Sequence, residues 1–305
     1  TMRIIDCDKG EQSQIQKPVS IALGNFDGLH LGHQALIKKS TEVAREKGYL
    51  SGVLLFKNHT LSELKNKDLQ LLTSLADKEE LLDNLGVDVI YLKSFDHKFC
   101  SINKLDFIED VLTNQLKVKA VTIGHDYRFG CWAEGKVSDL IANQTVFDYE
   151  VFVIDDVVAD GERISSSRIR QTLRDGNVEN ATKMLGRPFR IGGEIVPGAN
   201  RGRKLGFRTA NLFWDHHYIV PRDGVYLTRV YLDDLKTPHH YGMTNIGTNP
   251  TFTEANNTKI ETHIFDIDGD LYGKRMWLEF LAYERGDIKF DTVGELVDVM
   301  KEDER

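Results

Sequence analysis

Residues 19–33 read Val19-Ser20-Ile21-Ala22-Leu23-Gly24-Asn25-Phe26-Asp27-Gly28-Leu29-His30-Leu31-Gly32-His33. The first five are an apolar strand candidate interrupted only by Ser20, and an amphipathic run follows over residues 34–47. Strand, glycine-rich turn and helix start together make a backbone nest for phosphate oxygens. Glycines at 24, 28 and 32 let the chain approach a phosphate where a Cβ would collide. His30 and His33, three apart at the helix entry, share one face beside that nest. An imidazole placed there can donate to an oxyanion developing on phosphorus, so the stretch suits ATP chemistry.

Outward from this turn, short β-rich apolar runs at 50–56, 87–92, 118–123 and 151–154 alternate with helical patterns at 77–85 and 104–116. Such alternation predicts an α/β domain, a parallel sheet covered by helices. Ligands of these sheets bind beyond the carboxyl ends of the strands, where the first turn carries Gly24 to His33. The pattern changes near Leu185-Gly186-Arg187-Pro188. Beyond it, β-patterned segments at 189–196, 224–232, 241–246, 259–267 and 276–283 predict a small antiparallel barrel or sandwich. Residues 291–303 place Val293, Leu296, Val297 and Met300 on one helical face. The expected domains are therefore 1–185 and 186–305.

A length of 305 residues fits two domains, and 41% hydrophobic with 28% charged residues is ample for building cores. No apolar stretch approaches the ~20 residues of a membrane span, and Thr1 to Asp6 lacks the apolar centre of a signal peptide. Cys7, Cys100 and Cys131 are far apart, so neither a zinc site nor a disulfide framework is expected. These features predict a cytoplasmic protein without a membrane partner. A formal net charge of −8 argues against a dedicated nucleic-acid binder.

Two further stretches bear on the first domain. Gly124-His125-Asp126-Tyr127-Arg128-Phe129-Gly130 follows the run ending at Ile123, and Asp126 could hydrogen-bond a base or ribose. Taken alone, such a turn reads as structural. Ile164-Ser165-Ser166-Ser167-Arg168-Ile169-Arg170 opens a helix. Its hydroxyls can cap backbone amides or join them in holding phosphate, and its arginines can add charge-assisted bonds to a triphosphate.

In order, the three segments resemble the HxGH, GxDFxFG and ISSTxxR motifs of the prokaryotic bifunctional riboflavin kinase/FAD synthetase family, and the resemblance spans essentially the whole chain. It implies a Rossmann-like nucleotidyltransferase domain followed by a riboflavin kinase β-barrel with a C-terminal helix. It further implies that Gly24, Asn25, Phe26, His30 and His33 line the ATP site of the adenylyltransferase. Asp126, Ser165, Ser166 and Arg170 match further nucleotide-site positions. His59 matches a family histidine usually followed by proline, which here is Thr60, and Ser167 replaces the threonine of the third motif.

In the second half, Gly202-Arg203-Lys204-Leu205-Gly206-Phe207-Arg208-Thr209-Ala210-Asn211 resembles the family's GFPTAN element. Gly202, Lys204 and Gly206 would then belong to a nucleotide- and flavin-binding loop. On an extended chain Thr209 and Asn211 point the same way, so a hydroxyl and an amide oxygen could share one Mg²⁺. Glu261 and His263 lie two apart on an expected strand and face one side, opposite Thr262. Read alone they form a solvated polar face; by resemblance Glu261 is the general base. Pro250-Thr251-Phe252 and Asp270-Leu271-Tyr272-Gly273 match neighbouring elements. Asp266-Ile267-Asp268-Gly269-Asp270 fails as a calcium loop, because Leu271 stands where glycine is required, and a hairpin turn is expected there.

The implied function is two ATP- and Mg²⁺-dependent steps, riboflavin to FMN and FMN to FAD. Arg208 stands where the family has proline. An alternative is therefore a monofunctional FAD synthetase whose second domain binds flavin or a partner. Another branch, such as a pantetheine-phosphate transferase or a tRNA-charging relative, is a further alternative. The lack of a KMSKS-type element and the acidic balance weigh against tRNA.

Overall fold

The computed structural model describes residues 1–57, 70–197, 209–215, 217–236, 239–248, 258–267 and 269–284. His59, Gly202, Lys204, Gly206, Arg208, residues 250–252 and the helix expected over 291–303 lie outside them. The chain divides into two compact units, Thr1–Ser166 and Ser167–Arg305.

The first unit holds strands β1 (Arg3–Asp6), β2 (Val19–Ala22), β3 (Leu50–Phe56), β4 (Val89–Lys93) and β5 (Val118–Gly124). Short ribbon strands follow, β6 (Arg128–Phe129) with β7 (Gly135–Lys136), then β8 (Glu150–Ile154), then β9 (Val158–Ala159) with β10 (Glu162–Arg163). The main sheet is wholly parallel, in the order β1-β4-β3-β2-β5-β8. Alternation within its strands feeds two cores. Val19, Ile21, Leu54, Val89 and Tyr91 enter one, and Ala22, Val53, Leu55 and Ile90 enter the other.

Helices α1 (Leu31–Lys47) and α2 (Leu75–Asn84) bring Leu36, Ile37 and Leu82 to the second core. The first is covered by Leu140 of α3 (Val137–Phe147) and by a helix beginning at Lys104–Asp106. That helix continues as a π-helix over Phe107–Gln115, which supplies Phe107, Ile108, Val111 and Leu112. Full burial of each large apolar side chain contributes about 1.5–3 kcal/mol.

From β2 the chain runs to β3 and β4 on one side, then crosses back to β5 and β8 on the other. The order reverses at β2, so the crevice expected of such sheets lies where β2 and β5 end. The turns after these strands are Gly24 to His33 and Gly124 to Gly130.

Three local outcomes differ from the sequence reading. Helix α2 starts at Leu75, earlier than 77, because Ser74 and Asp77 form a reciprocal capping box. The helix expected over 104–116 is largely π, with Leu116 N donating to Val111 O and Thr113 Oγ1 to Ile108 O, both five residues back. Strand β1 was not anticipated. Its four residues pair with β4 alone, and only Ile5 is buried.

The second unit takes all but the first residue of α4 (Ser166–Arg174), then α5 (Val178–Leu185) and six strands. These are β11 (Phe189–Val196), β12 (Ala210–Phe213), β13 (Gly224–Leu232), β14 (His240–Thr248), β15 (Thr258–Ile264) and β16 (Arg275–Glu284). They close an antiparallel barrel in the order β11-β12-β15-β14-β13-β16, which decides between the barrel and the sandwich. The sequence reading joins α4 and α5 to the first domain, yet they pack with the barrel. Arg222 N donates to Leu173 O at 3.0 Å, Tyr283 N donates to Glu179 Oε1 at 3.2 Å, and α5 lies against β16 and β11.

The expected hairpin around Asp266 is not one. β15 pairs with β12 and β14, and β16 with β11 and β13, so the turn joins strands that are not neighbours. Inside the barrel, Thr262, Thr244 and Thr228 form a buried hydroxyl chain with O···O distances of 2.9 and 2.8 Å. It ends where Thr228 Oγ1 donates to Gly242 O at 3.1 Å. Each of these buried polar atoms is thereby satisfied.

Candidate active sites

In the first unit the turn between β2 and α1 runs through left-handed backbone at Phe26 (φ 52°), Gly28 (φ 87°) and Leu29 (φ 41°). Burial sustains it, since Phe26 and Leu29 are fully inside the core. Asp27 is buried as well, and its carboxylate accepts the N–H groups of Leu72 at 3.0 Å and Thr73 at 3.3 Å. Gly28 N donates to Thr73 Oγ1 at 2.9 Å, and Ser166 Oγ donates to Asp27 O at 2.8 Å. The turn is thus clamped to the segment leading into α2 and to the serine run.

His30 is the N-cap of α1. Its Nδ1 accepts the His33 N–H at 3.3 Å, which leaves the ring proton on Nε2 as a donor. The two imidazoles stack, with centroids 3.7 Å apart and planes at 17°, and Phe26 meets the His33 ring edge-on at 5.3 Å. His33 Nδ1 is buried without a hydrogen-bond partner. Its imidazole is held well below the usual value of 6.5, first by burial and then by the charges of His30, Lys78 and Arg163.

The glycines serve the fold before any ligand. A Cβ at Gly24 would come within 3.3 Å of the Phe26 ring, and one at Gly32 within 3.1 Å of the His30 ring. The Gly28 amide is already given to Thr73, so the nest is narrower than the sequence suggests. The amides of Leu31 and Gly32, in the first turn of α1, have no partner among the described residues. Asn25 is exposed at the mouth of the turn.

Asp126, beyond β5, is bound to Arg163 of β10 at 2.7 Å, which holds its carboxyl below the usual carboxylate range. Arg163 Nε also reaches Asp156 at 3.0 Å, and His125 Nδ1 lies 3.5 Å from the same carboxylate. Arg163 was missed in the sequence, although it stands two positions before Ser165. Its role comes from the β9–β10 ribbon, which carries no motif of its own. The positive charge of Arg163 also helps hold the His33 imidazole below its usual value. Ser165 is half-buried beside Ser166. Arg170 is buried in the second unit.

In the barrel, Thr209 is exposed immediately before β12, and Asn211 lies within that strand. Asn211 pairs directly with Glu261 across β12–β15, and Glu261 pairs with Asn245 across β14–β15. The three make one polar row on the outer face, opposite the interior Thr262, as the alternation at 261–263 predicted. Directly opposed side chains on antiparallel strands have Cβ atoms about 4.5–5.5 Å apart. None of the three side chains has a hydrogen-bond partner among the described residues. Asn245 was not singled out in the sequence, because register alone places it there.

Residues 12–168 match the FAD synthetase family and residues 185–305 the riboflavin kinase family. A bifunctional riboflavin kinase/FMN adenylyltransferase from Listeria monocytogenes is 36% identical over 287 residues, covering 93% of this chain and 90% of its own length. The enzyme of that name from Escherichia coli K12 is 33% identical, covering 95% of this chain and 91% of its own. A crystal structure from Streptococcus pneumoniae, described as a macrolide-efflux protein, is 33% identical with a TM-score of 0.81, covering 99% of this chain and 97% of that one. No described helix is long and apolar enough to cross a membrane. With both halves matched in order and the relatives covered nearly end to end, the chain belongs to the bifunctional riboflavin kinase/FMN adenylyltransferase family.

Proposed function

We propose that the chain converts riboflavin to FAD in two ATP-dependent steps, each carried by one motif-bearing half, 1–185 for adenylyl transfer and 186–305 for phosphorylation. In the first step Glu261 accepts the proton of the ribityl hydroxyl as that oxygen attacks the γ-phosphorus of ATP, the β,γ-bridging P–O bond breaks, and its electron pair leaves on ADP. The single observation that carries this reading is the direct pairing of Asn211 with Glu261. It sets an uncommitted amide oxygen beside an uncommitted carboxylate. Thr209 and Asn211 offer hard oxygens suited to Mg²⁺, and Asn211 has no competing partner. When bound there, Mg²⁺ offsets charge on the phosphates of ATP.

In the second step an FMN phosphate oxygen attacks the α-phosphorus of ATP. A P–O bond forms, the α,β-bridging bond breaks, and its electron pair leaves on pyrophosphate. The attacking phosphate is already an anion near neutral pH, so this step needs alignment and charge stabilisation rather than a base. His30 donates through Nε2, and the Leu31 and Gly32 amides at the helix N-terminus donate to the anion. Gly24, Asn25, Phe26 and His33 shape the wall. Asp126, Ser165 and Ser166 complete the nucleotide site within the first unit, while Gly202, Lys204 and Gly206 serve the kinase.

The test is chromatography of products after incubation with ATP, Mg²⁺ and either riboflavin or FMN. FMN followed by FAD from riboflavin is the expected result. FAD from FMN with no product from riboflavin would overturn the kinase assignment, and no FAD from FMN would overturn that of His30 and His33.

A further inference from the structure

Lys78 belongs to no motif, yet the fold brings it to the histidine turn. Asp27 and Thr73 tie that turn to the segment entering α2. Ser74 caps α2, and Lys78 N donates to Ser74 O at 3.0 Å, one helical turn in. The side chain is half-buried, and its ammonium has no hydrogen-bond or ion-pair partner among the described residues. Its charge acts on His33, and Asp27 is the group whose charge acts on it. Asp27, however, spends its carboxylate on the Leu72 and Thr73 amides. The groups around the His33 ring are therefore His30 on α1, Lys78 on α2, Arg163 on β10 and, through Lys78, Asp27 in the turn. Arg163 is matched by Asp126 and Asp156, whereas Lys78 has no such carboxylate among the described residues, and it stands on the helix tied to the turn with two open helix amides. A half-buried ammonium left without a counter-ion is costly unless a ligand supplies one.

We propose that Lys78 binds the β- and γ-phosphates of ATP in adenylyl transfer and stabilises pyrophosphate as it leaves. The assignment deepens the reading of the His30/His33 site and rests on it. Lys78 stands one turn into α2, the helix whose entry Asp27 and Thr73 tie to the histidine turn. The charge it meets grows during the step, because the electron pair of the broken bond departs on pyrophosphate. An ammonium is suited to this as a mobile point charge.

The test compares Lys78→Met and Lys78→Arg in the full chain. A charge-assisted hydrogen bond contributes about 1.5–3 kcal/mol, so Lys78→Met should raise KM for ATP and the inhibition constant of pyrophosphate together by ~10-fold to 100-fold. KM for FMN should hold, and Lys78→Arg should restore most of the loss. Lys78→Met should also move the acid limb of the pH–rate profile upward, since His33 loses a repelling charge. Unchanged hydrogen-exchange protection of the β2 amides reports that the first unit is folded. A rise in KM for FMN alone would assign Lys78 to the acceptor phosphate and overturn the proposal. So would unchanged kinetics, or a loss that arginine fails to rescue. Failure of the wild-type chain to form FAD would instead sink the underlying site.

Discussion

Asn211 and Glu261 lie directly opposite each other on adjacent antiparallel strands of the barrel, with Ala210 opposite Thr262 one step along. The fixed ladder holds an amide and a carboxylate side by side on the outer face, while the neighbouring pair points inward. Thr262 is locked there by the hydroxyl chain through Thr244 to Thr228. A one-residue slip would turn Glu261 into the barrel, so the buried threonines guard the register of that carboxylate.

Glu261→Gln keeps the shape and removes the proton acceptor. Formation of FMN from riboflavin should fall by about 10²- to 10⁴-fold, the usual contribution of a positioned base. FAD formation from supplied FMN should be unchanged. Equal loss in both assays would place Glu261 in a structural role.

Asn211→Ala should raise the Mg²⁺ concentration needed for half-maximal phosphorylation, with the carboxylate still in place. Asn211→Asp should lower that requirement, because it adds a charged oxygen at the same point. Titration of the kinase rate with Mg²⁺ reads both, and two identical curves would remove Asn211 from the metal site.

His33 gives a pH dependence whose sign follows from its environment. Burial, then His30, Lys78 and Arg163, hold its folded-state affinity for protons well below the usual 6.5. Below about pH 6.5 the unfolded chain therefore binds a proton that the folded chain refuses. The stability of the first unit is fully present above that pH and declines as acid is added. Hydrogen exchange of β2 amides, compared at about pH 7.5 and 5.5, should show weaker protection at the lower value. His33→Gln should flatten the difference. A His33 ring that titrates normally by NMR would contradict the burial argument.

Much of this was legible in the sequence. The β2–α1 turn declares itself because glycines, histidines and an apolar run fall together. The strands at 50–56, 189–196 and 224–232 agree to the residue with β3, β11 and β13. What escaped was non-local. Asn245 joins Glu261 only through register, and Arg163 reaches Asp126 only through a two-residue ribbon. Lys78 belongs with the histidine turn only because Asp27 anchors the segment entering its helix, 45 residues away. The Gly28 amide is non-local in the same way, since Thr73 takes it across 45 residues.

Arg163 offers the sharpest separation of the two sites. It bridges Asp126 at 2.7 Å and Asp156 at 3.0 Å, and its charge reaches His33. Arg163→Ala would free both carboxylates beside the proposed triphosphate site, adding repulsion as well as removing a donor. The KM for ATP in adenylyl transfer should rise by ~10-fold or more, on the scale of a charge-assisted hydrogen bond. Arg163→Lys should recover only part of this, since an ammonium cannot hold two carboxylates in the same planar geometry. Asp126→Asn in the Arg163→Ala background should then improve ATP binding by removing one of the stranded charges. If that second substitution instead deepens the defect, Asp126 contacts the nucleotide itself and the Arg163 bridge is secondary.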